Sequence, residues 1–261
     1  MKSILSELTP KLLLPSLASW LKSDLTVSTS RFRNVWSWVW MMSYDLLQSQ
    51  TQTNIYAIGQ QSTGKSSVIE ALTGIKTPRD TGTCTRCPLM IDLEPSDDPQ
   101  AAWQATVYLQ QRYHWDPQAN NEGNAKFPDW VEKATPDRIF FAQTHDPEEL
   151  EFLIQRAQQA TLSPTQDPQS FLDISSDGSN GTHACLFSPN IVAIQITKHD
   201  LPALSFYDLP GLISQAETEA EEYTVPLVRN LVSEYIASPD TLILVTCALE
   251  VYYKVCSSIR C

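Results

Sequence analysis

Residues 59–66 read Gly-Gln-Gln-Ser-Thr-Gly-Lys-Ser, which fits the pattern G-x-x-x-x-G-K-S/T. That spacing is suited to holding a row of phosphates. Backbone N–H groups along Gly59, Gln60, Gln61, Ser62, Thr63, Gly64, Lys65, Ser66 and Ser67 can turn inward around the anion, and a helix beginning at Lys65 adds its partial positive end. Lys65 would then reach the β- and γ-phosphates of a nucleotide, and Ser66 would offer a hydroxyl to Mg2+. A plain glycine turn with an exposed lysine is the alternative, and it leaves the flanking apolar runs unexplained.

A second element matches the same chemistry. Asp208-Leu-Pro-Gly211 follows the apolar run 204–207, placing an acid at a strand end for the metal and a glycine whose N–H can sense the γ-phosphate. A D-x-x-G alone is common in turns. Downstream of a phosphate loop it favours a GTPase-type switch over an ATPase.

Such a loop needs a strand before it and a helix after it. Residues 54–58 form a short apolar run ending at Gly59; residues 65–72 repeat Val68, Ile69 and Leu72 at helical spacing, with Gly74 at the C-cap position. Residues 191–197 and 203–207 are β-rich and are read as a hairpin joined by 198–202. Leu227, Val228, Leu231, Val232 and Tyr235 predict a helix over 225–236, and 241–247 is another buried strand. The expected fold is α/β: a three-layer α/β/α P-loop domain with a mostly parallel sheet, incomplete toward its C-terminal side.

Two stretches fall outside that pattern. Residues 1–53 are Ser-rich and are read as an N-terminal helical segment, with Val35, Trp36, Val39, Trp40, Leu46 and Leu47 on an amphipathic face. The run 35–42 is shorter than the roughly 20 apolar residues a bilayer span needs. Residues 92–186 are read as an acidic, partly disordered insertion. Within it, Asp146 as cap, Pro147 at the first helical position, Glu149 as the closing acid and Leu150, Leu153, Ile154 and Ala157 predict one helix.

Composition narrows the partners. The chain carries 18 Lys and Arg against 30 Asp and Glu, a net charge of −12, which excludes a general affinity for nucleic acid. Six irregularly spaced cysteines in 261 residues do not form a disulfide framework, so reduced thiols and a cytoplasmic location are expected. A mitochondrial or peripheral membrane location is the alternative. Cys84 and Cys87 form a lone C-x-x-C, and His114, His145, His183 and His199 lack ligand spacing.

The runs GQQSTGKSSVIEALTG (59–74), TRCPL (85–89) and LSFYDLPGLI (204–213) closely resemble the GTPase domain of dynamin-superfamily large GTPases, including the fungal and Mx-like branches. The resemblance covers about 54–92 and 187–249. It implies that Gln61 helps arrange the attacking water, that Ser62 contacts the phosphates and a charge-compensating monovalent cation, and that Thr85 lies near Mg2+ and that water. It also makes Gly82 a switch glycine, and the chain departs from the family pattern at Asp80, where a glycine is usual.

The expectations that follow are a domain at 54–261, with Gln61, Ser62, Lys65 and Thr85 catalytic and Ser66, Thr85 and Asp208 toward the metal. GTP is the expected nucleotide and Mg2+ the ion. By resemblance, dimerisation or pairing with related chains and association with a membrane or the cytoskeleton are implied. Thr197-Lys198-His199-Asp200 imitates the T/N-K-x-D element that reads guanine, yet it precedes Asp208 and is rejected. With no substitute downstream, the domain is expected to stop before the base-reading loop. A catalytically weak fragment acting through protein interactions and an ATP-using P-loop enzyme are the rival readings.

Overall fold

A computed structural model describes residues 53–78, 85–118, 126–173, 185–199, 201–213, 222–237 and 241–247. The expected N-terminal helix, Asp80, Gly82, Cys84, His183, Asp200 and residues 248–261 lie outside the described residues. No helix among the described residues is long and apolar enough to cross a membrane.

Seven strands form one sheet: β1 (Thr53–Gly59), β2 (Leu89–Pro95), β3 (Gln104–Trp115), β4 (Trp130–Thr144), β5 (Ile191–Lys198), β6 (Leu204–Asp208) and β7 (Thr241–Thr246). Their order is β4-β3-β5-β2-β6-β1-β7. The sheet is mixed. β6-β1, β1-β7 and β2-β5 pair parallel, whereas β2-β6, β3-β5 and β3-β4 pair antiparallel.

Register makes a continuous apolar row. Ile55 lies opposite Phe206, Phe206 opposite Ile91, Ile91 opposite Ile194, and Ile194 opposite Val107, all buried. Side chains aligned across strands share a face, and each fully buried aliphatic contributes roughly 1.5–3 kcal/mol. Helices α1 (Lys65–Thr73) and α2 (Pro147–Leu162) pack on β1/β6 and on β3–β5 respectively. Helix α3 (Thr224–Ile236) buries Leu227, Val228, Leu231 and Val232 in a separate cluster with Tyr56 and Ile58, which alternate with Ile55 and Ala57 along β1 and so point to the opposite face. Layers thus flank the sheet on both sides, as the α/β reading requires.

Two expectations change. The runs 191–198 and 204–208 do run antiparallel, but they are not a hairpin: β2 lies between them and pairs with both. Leu89, Ile91 and Leu93 of β2 supply the buried apolar positions that fit between them. The stretch 92–186 is also far more than a solvated insertion. It contains β3 and β4, which extend the sheet, and α2, which covers it. Edge strand β4 carries both signs of charge, Glu132 and Asp137 with Lys133 and Arg138, and its run 133–138 is largely exposed, as suits an unpaired side. Alternation of buried Ala105, Val107 and Leu109 in β3 was the signal that overall composition concealed.

α2 begins as its sequence predicts, with one difference. Asp146 accepts from the Glu148 N–H at 2.9 Å, but Glu149 does not close the box directly. Thr144 sits between them, accepting from the Asp146 N–H at 3.0 Å and donating to Glu149 at 2.6 Å.

Candidate functional site

β1 stands between two parallel neighbours, and all three strands end at the same edge. Ala57 lies opposite Asp208 of β6, and Gly59 opposite Thr246 of β7. The loop 60–64 therefore emerges with Asp208 on one flank and Thr246 on the other. Ligands of open α/β sheets bind at such carboxyl ends.

The loop backbone is tightly specified. Gly64 has φ +88°, a left-handed conformation that favours glycine, and Ser62 adopts φ +60°. A Cβ added at Gly59 would lie 2.5 Å from the Thr246 carbonyl oxygen and 2.7 Å from Thr63 Oγ1. On the other flank the D-x-x-G turn leans on the loop. The Leu212 N–H donates to the Gly59 carbonyl at 2.9 Å, and a Cβ at Gly211 would come within 2.7 Å of Gln61 Cα. α1 then runs from Lys65 to Thr73, closing where expected with the Gly74 N–H on the Glu70 carbonyl.

Three polar side chains converge. Ser66 Oγ donates to Asp208 Oδ2 at 2.6 Å, and Thr85 Oγ1 donates to the same oxygen at 3.2 Å. Thr85 reaches this point because its segment is fastened beside β5: the Ser188 N–H donates to the Arg86 carbonyl and the Val192 N–H to the Pro88 carbonyl. Asp208 is 2% exposed, and its Oδ1 has no hydrogen-bond partner among the described residues. Burial raises its carboxyl above the usual value, against the hydrogen bond from Ser66, the charge of Lys65 and the hydrogen bond from Thr85. Lys65, also buried, donates to the Gln60 carbonyl at 3.1 Å.

This donor set suits a hard divalent cation. Two hydroxyls and one carboxylate, a buried oxygen of which is orphaned, are the kind of oxygen ligands Mg2+ takes when phosphates complete its shell. No group of three His, Cys, Asp or Glu side chains that could hold a metal occurs among the described residues. Cys87 lies nearby but is fully buried, and its thiol is pushed up to about 12, chiefly by burial with a smaller contribution from Asp208. It is an inert packing residue.

The structure brings Gly59, Gln60, Gln61, Ser62, Thr63, Gly64, Lys65, Ser66, Ser67, Thr85, Asp208 and Gly211 to one end of the sheet. It places Thr197, Lys198 and His199 of the decoy elsewhere. Lys198 aligns with Pro95, two residues beyond the Leu93–Leu204 pair, so it sits past the far end of β6 from Asp208, about 20 Å away along the strand direction. His199 there contacts the Ser96 carbonyl. Two residues at the loop escaped sequence reading, Thr246 and Leu212. The pairing of 241–246 beside β1 could have exposed Thr246, had the register been known.

Comparison with known proteins gives the same reading. A sequence profile of the dynamin family matches residues 55–255. The chain is 28% identical over 191 residues to the interferon-induced GTP-binding protein Mx of Gallus gallus, covering 73% of this chain and 20% of that protein. It is 27% identical over 199 residues to Mx2 of Canis lupus familiaris, covering 76% and 21%, and 26% identical over 199 residues to Mx2 of Ictalurus punctatus, covering 76% and 24%. It thus spans about a fifth to a quarter of the length of these curated relatives. With the profile running through nearly the whole described sheet, the phosphate loop and the D-x-x-G turn, the chain belongs to the dynamin family.

Proposed function

We propose that this domain binds GTP and hydrolyses it to GDP and phosphate with Mg2+. The observation that carries the reading is the meeting of Ser66 and Thr85 on buried Asp208, beside Lys65 and beneath a loop of inward-capable N–H groups. Mg2+, held by Ser66 and Thr85 with Asp208 behind them, would neutralise charge on the phosphates. Lys65 exchanges its bond to the Gln60 carbonyl for the β- and γ-phosphates. Gln61 and Thr85 orient the attacking water, Ser62 contacts the phosphates, and Gly211 presents a backbone N–H group on the γ side. Hydrolysis needs little covalent chemistry from the protein, so these positions supply charge and alignment. Preference for guanine follows from the family and from the GTP-binding relatives. The same kinship supports dimerisation across the nucleotide face and a role at membranes from the cytoplasmic side.

Titration of the purified chain with labelled GTP, with ATP as competitor and with and without Mg2+, tests this. GTP is expected to bind in a Mg2+-strengthened manner and to outcompete ATP, and Lys65→Ala to weaken binding at least 10-fold. Equal binding by Lys65→Ala, or none by the wild type, would overturn the proposal.

A further inference from the structure

The phosphate loop is held from the side by a residue well separated from it in sequence. Thr63 Oγ1 donates to the Gln60 carbonyl at 2.8 Å and lies 2.6 Å from Thr246 Oγ1. A hydroxyl has one proton, so with Thr63's committed to Gln60, Thr246 is the donor across β7 to the loop. The second acceptor within reach of Thr246, the Ile58 carbonyl at 3.4 Å, is the poorer one. The result is a directed chain from Thr246 to Thr63 to the Gln60 carbonyl, on which Lys65 Nζ also donates at 3.1 Å. The contact is steric as well. Gly59 has no room for a Cβ because Thr246 and Thr63 occupy that space.

The loop has reason to need such a hold. Ser62, between Gln60 and Thr63, keeps a left-handed φ of +60° that costs a non-glycine residue energy and relaxes unless its neighbours are fixed. Fixing Thr63 on one side of Ser62 and the Gln60 carbonyl on the other pins both ends of the strained residue. That carbonyl is also the resting partner of the lysine that must reach the phosphates.

We propose that Thr246 is a positioning residue for nucleotide binding, its hydroxyl acting through Thr63 to keep the phosphate loop in the geometry that receives the phosphates. The inference rests on the reading of this loop as a nucleotide site and adds a residue that the loop motif does not contain. It also predicts a direction of coupling: β7 and the loop tighten together.

The test compares Thr246→Val, which keeps the shape and deletes the hydroxyl, with Thr246→Ser, which keeps the hydroxyl, using a fluorescent GDP analogue and GTP with Mg2+. One partly buried hydrogen bond corresponds to about a 3- to 10-fold weakening of Kd for Thr246→Val, while Thr246→Ser stays within about 2-fold of wild type. Thr63→Val should weaken binding similarly, and the Thr63→Val, Thr246→Val double variant no more than the worse single one, because both break one chain. Thr246→Val binding like wild type overturns the proposal. So does equal weakening by Thr246→Ser, which would assign the effect to shape, or a lowered melting temperature with Kd unchanged, which would make the contact structural only. Lys65→Ala in the same assay separates the two levels. If Lys65→Ala abolishes binding and Thr246→Val does nothing, the positioning role fails and the nucleotide site stands; if Lys65→Ala binds normally, the site reading itself fails.

Discussion

Asp208 is kept at the site at a cost to the nucleotide-free protein. Its carboxyl is buried, one oxygen takes two hydroxyl donors, and the other has no partner among the described residues. Because burial raises its folded-state pKa above the unfolded value of 3.8, the folded chain holds this proton more tightly than the unfolded chain. The group therefore destabilises the fold at pH above its raised value, and that penalty disappears as pH falls through it toward 3.8. Asp208→Asn, which still accepts from Ser66 and Thr85, is expected to melt a few degrees higher than wild type at neutral pH without nucleotide. Calorimetry across pH should show the gap closing in acid. The same variant should lose the Mg2+-dependent part of nucleotide binding, so stability and affinity move in opposite directions at one residue. Lys65, Ser66, Asp208 and Gly211 were legible because their types and spacing are fixed by phosphate chemistry. Thr246 was not, since a threonine ending an apolar strand carries no signal until register sets it opposite Gly59.

At the scale of elements, local signals were reliable where the cause was local. Gly74 ends α1 and Asp146 begins α2 because capping involves only near neighbours. Asp146→Ala should cost about 1 kcal/mol in urea unfolding while leaving nucleotide affinity unchanged. Strand partners were not local, and there sequence reading failed: β5 and β6 looked like a hairpin, and β3 and β4 were submerged in an acidic composition. Asn190 shows how such distant pairings are secured. Just before β5, its buried amide accepts from the Tyr113 N–H and donates to the Tyr113 carbonyl, both at 2.9 Å, next to an irregularity in the β3-β4 ladder. The side chain imitates the backbone of one more strand residue. Asn190→Ala would leave both Tyr113 backbone groups unpaired in a buried place, so a loss of about 2–3 kcal/mol is expected, read as a lower urea midpoint.

Considered as a whole molecule, the sheet divides into two parts. The end holding β6, β1 and β7 pairs in parallel and carries the phosphate loop, while β3 and β4 widen the sheet by antiparallel pairing and carry α2. Binding to the loop should stabilise every element that unfolds with it, by about 2.7 kcal/mol at a ligand concentration 100 times Kd. A single melting transition that shifts upward as one unit with GDP and Mg2+ would show that the widened part and the loop unfold together. The place of β2 bears on how this sheet forms in time. β5 and β6 are neighbours in sequence and antiparallel, so they can zip together quickly, yet the native sheet needs them apart with β2 between them, and Leu89 must find Val192 about a hundred residues away. The easy local contact is thus a kinetic trap, and the productive one has high contact order. Refolding from urea, followed by tryptophan fluorescence, should accordingly take milliseconds to seconds. A slow phase shortened by mild denaturant, which melts premature pairs, would mark the prematurely closed hairpin, a species with β2's apolar face uncovered and sheet edges open to other chains.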